Sequence, residues 1–441
     1  MPDAGPATVG DLASLAVPGE RIHALAARLF PIARSITGDG VRATLRLLSD
    51  HVPLTIHEVA SGTEILDWTV PPEWTMRAAY IADMSGRRVV DVANHSLHVV
   101  GYSTPIRARM SRAALEAHLH SLPAMPELIP YRTSYYAPAW GFCLADSVRT
   151  AMRDDFYDVV IDATLASGAL TYGEYLHRGR STDEVLLSAH ICHPSLANDN
   201  CSGIAVLACL AEAMRGIETH LSYRFLLAPG TIGAIAWLAQ NRSEVGRIQH
   251  GLVVSNVGDG GGPTYKRSRR GDAVIDRAAQ HVLANCGLSP RVLDFSPYGY
   301  DERQYCSPGF DLPVGSFQRS AWGTFPEYHT SADNLDFIRP EHLAASLQLI
   351  ARMLAVVDGN QIWRNTMPYG EPQLGRRGLY DAVDGVRPSE AERMAMLWVL
   401  NQADGRCDLL AIAERAGLGF ELVRRVALRL AAAGLLAPGQ A

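Results

Sequence analysis

Two histidines, two cysteines and an aspartate crowd into one short loop, His190-Ile191-Cys192-His193-Pro194-Ser195-Leu196-Ala197-Asn198-Asp199-Asn200-Cys201-Ser202-Gly203. Imidazole and carboxylate together suit Zn²⁺ and its neighbours. An apolar, strand-like run from Val185 to Leu187 leads into the loop, and Ile204 to Ala211 leaves it as a buried helix would. A strand that ends in a polar loop opening into a helix is where open α/β sheets place their sites. A further histidine, His329, lies far along the chain in Pro326-Glu327-Tyr328-His329-Thr330-Ser331-Ala332-Asp333-Asn334. Taken alone, each of these histidines is equally well an ordinary hydrogen-bonded residue. The two loops read together give the metal reading its weight.

Ala197-Asn198-Asp199-Asn200-Cys201-Ser202-Gly203 resembles the metal-bridging aspartate loop of the co-catalytic zinc aminopeptidases, a clan that includes the glutaminyl cyclases. Tyr328-His329-Thr330 followed by Asp333 resembles that clan's last ligand motif. A closer resemblance is to bacterial aminopeptidase-like proteins with an extra domain inside the peptidase fold and a winged helix at the end. It runs through Asp67-Trp68-Thr69-Val70-Pro71, His98-Val99-Val100-Gly101-Tyr102-Ser103-Thr104, Cys192-His193-Pro194-Ser195 and Asp301-Glu302-Arg303-Gln304-Tyr305-Cys306-Ser307-Pro308-Gly309, nearly the whole chain.

The resemblance implies roles. Asp199 matches the bridging carboxylate and His329 the terminal histidine ligand. The first ligand is His190, which stands at the strand end, or His193, which belongs to the Cys-His-Pro-Ser string and is preferred for that reason. Asp259 matches a later carboxylate ligand loosely and reads equally well as an Asp-Gly turn residue. The departure is at Ala228-Pro229-Gly230-Thr231-Ile232-Gly233, where the clan carries adjacent glutamates, one a base and one a ligand. Gly230 can neither accept a proton nor bind a metal, and losing a general base costs about 10²–10⁴-fold. Asp301 and Glu302 are the replacement candidates, with Glu302 as base and Arg303 holding a substrate carboxylate or oxyanion. A structural ion pair between Glu302 and Arg303 is the plainer alternative. Tyr328, beside His329, is placed with the substrate. Cys192 and Cys201 read better as small buried residues than as ligands or nucleophiles.

Composition sets bounds on these readings. A chain of 441 residues holds two or three domains, and 48% hydrophobic with 20% charged residues is ordinary for a soluble globular protein. A net charge of −6 argues against a general nucleic-acid or anionic-membrane binder. No apolar run reaches the roughly 20 residues of a membrane span, and Met1 to Glu20 lacks the pattern of a signal peptide. Seven scattered cysteines form no disulfide framework, so a reducing cytoplasm is the simplest setting. Lys266 is the sole lysine among many arginines, which reads as the codon bias of a GC-rich genome.

The elements that must hold these residues follow from periodicity. Residues 9–36 and 41–52 read as helices and 54–59 as a strand. Residues 61–165 read as a β-rich insert whose aromatic knot, Tyr131, Tyr135, Tyr136, Trp140 and Phe142, is taken as core. From Asp183, strands and helices alternate down to a long helix over 340–357, which argues for an α/β core with a mostly parallel sheet covered by helices. Helices over 390–400, 409–418 and 421–433 give a helix-turn-helix pattern. Nine arginines balance nine acidic residues from Glu371 onward, so this end reads as a packing or dimerisation module rather than a DNA reader. The expected domains are 1–60 with 166–370 as the zinc aminopeptidase-like core, 61–165 as the insert and 371–441 as the winged-helix-like unit.

The leading expectation is a metal-dependent hydrolase of an amide or peptide bond in a small peptide or amino-acyl substrate, using one or two Zn²⁺. The alternatives are an acyl-transfer or cyclising enzyme of small-molecule biosynthesis on the same scaffold, and a binding protein without catalysis. No nucleic acid and no membrane are expected as partners, and a homo-oligomer is compatible with the sequence.

Overall fold

The computed structural model describes residues 10–380 and 388–439. Residues 1–9, 381–387 and 440–441, parts of the expected 1–60 and 371–441 units and of the Met1 to Glu20 stretch, lie outside the described residues.

The centre is an eight-stranded sheet. Its strands are β1 (Thr55–Ala60), β2 (Ala169–His177), β3 (Glu184–His190), β4 (Ser222–Ala228), β5 (Ile248–Val254), β6 (Thr264–Lys266), β7 (Arg291–Leu293) and β8 (Val314–Gln318). Their spatial order is β1-β2-β4-β3-β5-β8-β6-β7. Strands β4, β3, β5 and β8 run parallel side by side. The pairings of β1 with β2, β2 with β4 and β6 with β8 are antiparallel. The sheet is thus parallel at its centre and mixed toward its edges.

All seven residues of β3 are buried, as a strand covered on both faces requires. Its alternate residues Val185, Leu187 and Ala189 enter one core and Leu186 the other. The first core is closed by α1 (Gly19–Leu29), α3 (Gly203–Met214), α5 (Val274–Ala284) and α6 (Pro340–Gly359). The short helix α2 (Asp39–Ser49) also joins this side, through Val41, Leu45 and Leu48. The second core is closed by α4 (Ile232–Gln240) and by the insert. Pro340 opens α6 at a position where its missing N–H costs nothing.

The insert interrupts the β1–β2 hairpin. Its own sheet is antiparallel throughout, in the order Arg88–Asp91, Glu73–Ala82, Phe156–Ala166, Ile106–Ser111. Phe156–Ala166 returns the chain almost directly to β2. Of the aromatic knot, Phe142 is core, whereas Tyr136 is 49% exposed and Tyr131 and Tyr135 line a cavity. The expectation that the whole knot is core is corrected accordingly.

The C-terminal unit comprises α7 (Glu390–Gln402), α8 (Leu409–Ala416) and α9 (Phe420–Ala432) with a three-stranded sheet of Ile362–Asn365, Asp404–Asp408 and Leu436–Pro438. Because Ile362–Asn365 is the central strand of that sheet, the unit takes in chain ahead of the expected start at 371. It is docked on the core. Arg277 of α5 donates to Asp408 at 3.0 Å and to Glu414 at 2.8 Å. The backbone N–H of Phe420, first residue of α9, donates to His281 Nε2 at 3.0 Å. Among the described residues no helix is long and apolar enough to cross a membrane.

Leu347 lies on α6 with no exposed surface. Replacing it with alanine is expected to destabilise the protein by about 2–5 kcal/mol, measured by urea unfolding of the full chain.

Candidate metal centre

Each of the four central parallel strands delivers the site at its carboxyl end. β3 ends in His190, β4 runs into Pro229-Gly230-Thr231, β5 into Ser255-Asn256, and β8 into Arg319. The loop from Pro194 to Gly203 crosses this edge and carries Asp199.

That loop is fixed at nearly every polar atom. The Asp333 carboxylate accepts the backbone N–H groups of Asn198 at 2.6 Å and Asp199 at 3.0 Å. Asn198 donates to Asp259 at 2.8 Å and accepts the Gly258 N–H at 2.9 Å. Asn200 donates to the Val254 carbonyl at 3.1 Å and accepts the Gly203 N–H at 3.1 Å. Gly203 has no alternative as a residue type: a Cβ there would lie 2.3 Å from Asn200 Oδ1 and 2.5 Å from the Val254 carbonyl oxygen.

Asp199 has no exposed surface, yet three imidazoles surround its carboxylate. His190 Nε2 meets Oδ1 at 2.9 Å and His329 Nε2 meets Oδ2 at 3.0 Å. Potential ligand atoms of His190, His193 and Asp199 lie within 4.8 Å of one another. The His193 ring is 4.7 Å from that of His190 and 5.4 Å from that of His329. Burial pushes the Asp199 carboxyl up, but the imidazoles outweigh it and hold it well below the carboxylate range. Burial drives the His193 imidazole well below its ordinary value. Ionised carboxylate beside neutral imidazole is the protonation a metal needs, so these residues fit an ion.

The sequence left His190 and His193 as alternatives, and the fold brings both to Asp199. Asp259 does not join them. Its oxygens accept from Asn198, from Gly261 N–H at 2.6 Å and from Ser320 Oγ at 2.6 Å, so it braces the loop instead of facing an ion. This corrects its expected role as a metal ligand.

The histidines floor a cavity of about 230 Å³. Asp301 lines it, and its Oδ1 accepts the Thr231 N–H at 2.6 Å. Burial pushes the Asp301 carboxyl up to about 6. Glu302 is turned away: it is fully buried and pairs with Lys266 Nζ at 2.8 Å. Arg303 does not line the cavity either, and its guanidinium stands 6.0 Å over the Tyr298 ring. The expected roles of Glu302 as base and Arg303 as substrate contact are therefore corrected, as is the Glu302–Arg303 ion pair. Tyr328 lines the cavity and stacks on His329 with ring centroids 3.9 Å apart.

Gly230 leaves open the space above His190. A Cβ there would meet Cys192 Sγ at 3.3 Å and His190 Cβ at 3.5 Å, with no backbone atom in the way. Thr231 follows at φ 62° and ψ −73°, with the Ile232 N–H donating to the Gly230 carbonyl at 2.8 Å. This is the γ-turn of positive φ, rare and strained. Cys192 accepts the Gly230 N–H at 3.2 Å, and burial pushes its thiol up to about 12. It is a thiol at neutral pH, not a nucleophile.

Sequence reasoning missed Tyr131, Tyr135 and Tyr300 as lining residues. The first two come from the insert, whose loop pairs with the histidine loop. The Tyr131 N–H donates to the His329 carbonyl at 2.8 Å and the Ser331 N–H to the Ile129 carbonyl at 2.9 Å. A contact made 202 residues apart has no local signal. For Tyr300, adjacency to Asp301 was a usable one.

A zinc-aminopeptidase-like α/β core with a C-terminal winged helix is the class that this fold and site define. Comparison with solved structures gives the same class. The zinc aminopeptidase BSAP from Bacillus subtilis is 13% identical with a TM-score of 0.54, covering 76% of this chain and 94% of that one. A peptidase M28 precursor from Shewanella amazonensis is 15% identical with a TM-score of 0.55, covering 79% and 95%. The chain belongs to the family described as a domain of unknown function, DUF4910, matched over residues 23–360, and a winged helix-turn-helix family matches residues 361–438. A Clostridium acetobutylicum protein named for polysaccharide biosynthesis, with an aminopeptidase-like domain, is 46% identical over 93% of this chain and 94% of its own. A crystal structure from C. acetobutylicum, described as a peptidase, is 43% identical with a TM-score of 0.91, covering 98% of both chains.

Two outcomes follow from this geometry. Gly203→Ala is expected to destabilise the protein by about 1–3 kcal/mol, seen as a lower urea midpoint. Iodoacetamide applied to the native protein near pH 8 is expected to modify the part-exposed Cys286 and Cys407 and to spare Cys192, as read by peptide mass mapping. Rapid labelling of Cys192 would restore it as a nucleophile.

Proposed function

We propose that this protein is a metal-dependent hydrolase of an amide bond in a small molecule, with one zinc ion held by His190, His193, Asp199 and His329. The observation that carries this reading is the fully buried Asp199 carboxylate ringed by three imidazoles at the floor of a cavity. The count of one ion rests on the carboxylates a second ion would need: Gly230 offers none, and both Asp259 oxygens are committed within the loop. Zinc bound here would supply Lewis acidity to the scissile carbonyl.

The chain's own residues supply the rest. Asp301 is the carboxyl that lines the cavity, and it takes the base role that Gly230 cannot. Tyr131, Tyr135 and Tyr328 wall the cavity and orient the substrate. A volume of about 230 Å³ suits an amino-acyl or N-acyl group rather than an extended peptide. The name of the C. acetobutylicum relative, which places that protein in polysaccharide biosynthesis, favours an amide on a saccharide precursor over a dietary or signalling peptide. The winged helix packs the protein rather than reading nucleic acid, since the first turn of α9, the end that would face bases, is docked on His281. A cytoplasmic setting agrees with the free thiols of the described residues.

Elemental analysis of protein purified without added metal is expected to give one zinc per chain, lost in His193→Ala. Amino-acid anilides and N-acetylated amino sugars form the substrate panel. Asp301→Asn is expected to lower kcat by about 10²–10⁴-fold with zinc content unchanged. No turnover of any panel member with zinc, cobalt or manganese would sink the hydrolase reading.

A further inference from the structure

We infer that Trp68 and Tyr136 form an open stacking platform at the mouth of the cavity, on which the sugar ring of a saccharide substrate lies while its amide reaches the histidines. This deepens the proposed function and rests on reading the cavity as the substrate site.

The insert supplies both rings. Ile65 pairs with Trp68 across a two-residue hairpin turn, Leu66-Asp67, in which Leu66 takes φ 54°. Residues 134–137 form a second turn, closed by the Ala137 N–H donating to the Ser134 carbonyl at 3.2 Å, with Tyr136 at φ 63°. Glycine is the usual residue at both of these positions. A bulky residue there is an outlier that persists only where the surroundings hold it. The two turns bring the rings together: Trp68 and Tyr136 meet edge-on, with centroids 5.4 Å apart and planes at 61°.

The second turn ties this pair to the cavity. Tyr135, the residue before Tyr136, lines the cavity. Its hydroxyl lies 3.3 Å from that of Tyr131, and its ring packs edge-on to Tyr102 with centroids 5.5 Å apart. Thr133 also lines the cavity and is the one exposed residue among those that do. The opening to solvent therefore lies at this segment. One turn puts consecutive tyrosines on the wall and at the rim.

A ligand can reach the pair, since Trp68 is 41% and Tyr136 49% exposed. Single exposed apolar residues are ordinary, but two large rings packed on each other outside the core mark a contact surface. The platform is uncharged at neutral pH, because burial pushes the Tyr136 hydroxyl up to about 12. No lysine or arginine lines the cavity, so nothing there selects an anion. A pyranose is the neutral ligand that suits such a surface. Its C–H face stacks on an aromatic ring while its hydroxyls stay in water, which matches the apolar body and polar tip of Trp and Tyr. A cavity of about 230 Å³ is smaller than the roughly 300–1,000 Å³ of sites that enclose a whole ligand. A saccharide substrate must then extend through the mouth, where the platform stands.

The test uses the full chain stripped of metal, so that binding is read apart from turnover. Saturation-transfer difference NMR is run with the methyl pyranosides of glucose, galactose, mannose and N-acetylglucosamine, and with trialanine as the peptide probe. Wild type is expected to saturate the C–H protons on one face of at least one pyranoside. The signal is expected to be lost in Trp68→Ala and in Tyr136→Gly, the second of which removes the ring while suiting the turn. Tyr369→Ala, at a fully exposed ring of the chain that leads into the C-terminal helices, is the control and is expected to keep it. No saturation of any pyranoside by wild type would overturn the platform, whether or not the variants fold, as would a signal that survives either substitution. Trialanine saturated more strongly than every pyranoside, and lost in both variants, would overturn the saccharide assignment in favour of a peptide. Pyranoside saturation in a protein that takes up no zinc would leave the platform standing and remove only the metal reading.

Discussion

A carboxylate with no access to water sits at the middle of this protein, and the surrounding architecture follows from keeping it ionised. Asp199 is stripped of its hydration, a loss worth several kcal/mol unless other groups replace the water. His190 and His329 replace it at the two oxygens. The peptide on its N-terminal side is held in turn by Asp333, which accepts two consecutive backbone N–H groups. Asp333 lies four residues beyond His329, so one loop supplies both an imidazole for Asp199 and the anchor for its backbone. Moving either end of that loop would loosen both.

Holding three histidines against one carboxylate strains the backbone. Thr231, Asn256, His329 and Ser195 all take positive φ, a conformation disfavoured for residues with a Cβ. They follow β4, β5 and β8 or belong to the loop between β3 and α3 that carries Asp199. Such strain persists only where the surroundings over-determine it. Here the buried central parallel strands fix the strand ends, and the insert closes the far side by pairing its Pro130 segment with Thr330. The insert is therefore part of the site, contributing two tyrosines and the hydrogen bonds that hold the His329 loop.

The sequence made the fold class legible because its signals were local. Alternating apolar strands and helices, the aspartate loop and the helix-turn-helix pattern each lie within a few turns of chain. The approach of both His190 and His193 to Asp199 was half legible, since the sequence offered two candidates but not that both could lie against one carboxylate. What stayed hidden depended on direction. Asp301 and Glu302 are neighbours of the same chemical type, and only the short helix that starts after Asp301 sends one into the cavity and the other into the protein. Asp259 looked like a ligand because a carboxylate after β5 suits one. Its acceptance of the Gly261 N–H two residues on is the ordinary behaviour of an Asp-Gly turn, a reading the sequence carried equally.

Lys266 joins these threads. In a chain whose other basic residues are arginines, composition explains the arginines on the surface but not the exception. Lys266 is 3% exposed, donates to Glu302 and to the Tyr298 carbonyl at 2.8 Å each, and lies 2.8 Å from the place a Cβ on Gly299 would occupy. A compact ammonium fits this corner, whereas a planar guanidinium needs more room and a flatter partner. The pair neutralises the buried Glu302 charge and pins the Tyr298–Glu302 segment on which Tyr300 and Asp301 ride. The Glu302 carboxylate is thereby held away from the cavity, which Asp301 lines. The same segment sets Tyr300 against His190 and under the Asn256 amide, which donates to its hydroxyl. A single buried ammonium thus fixes the wall of the cavity beside the histidines.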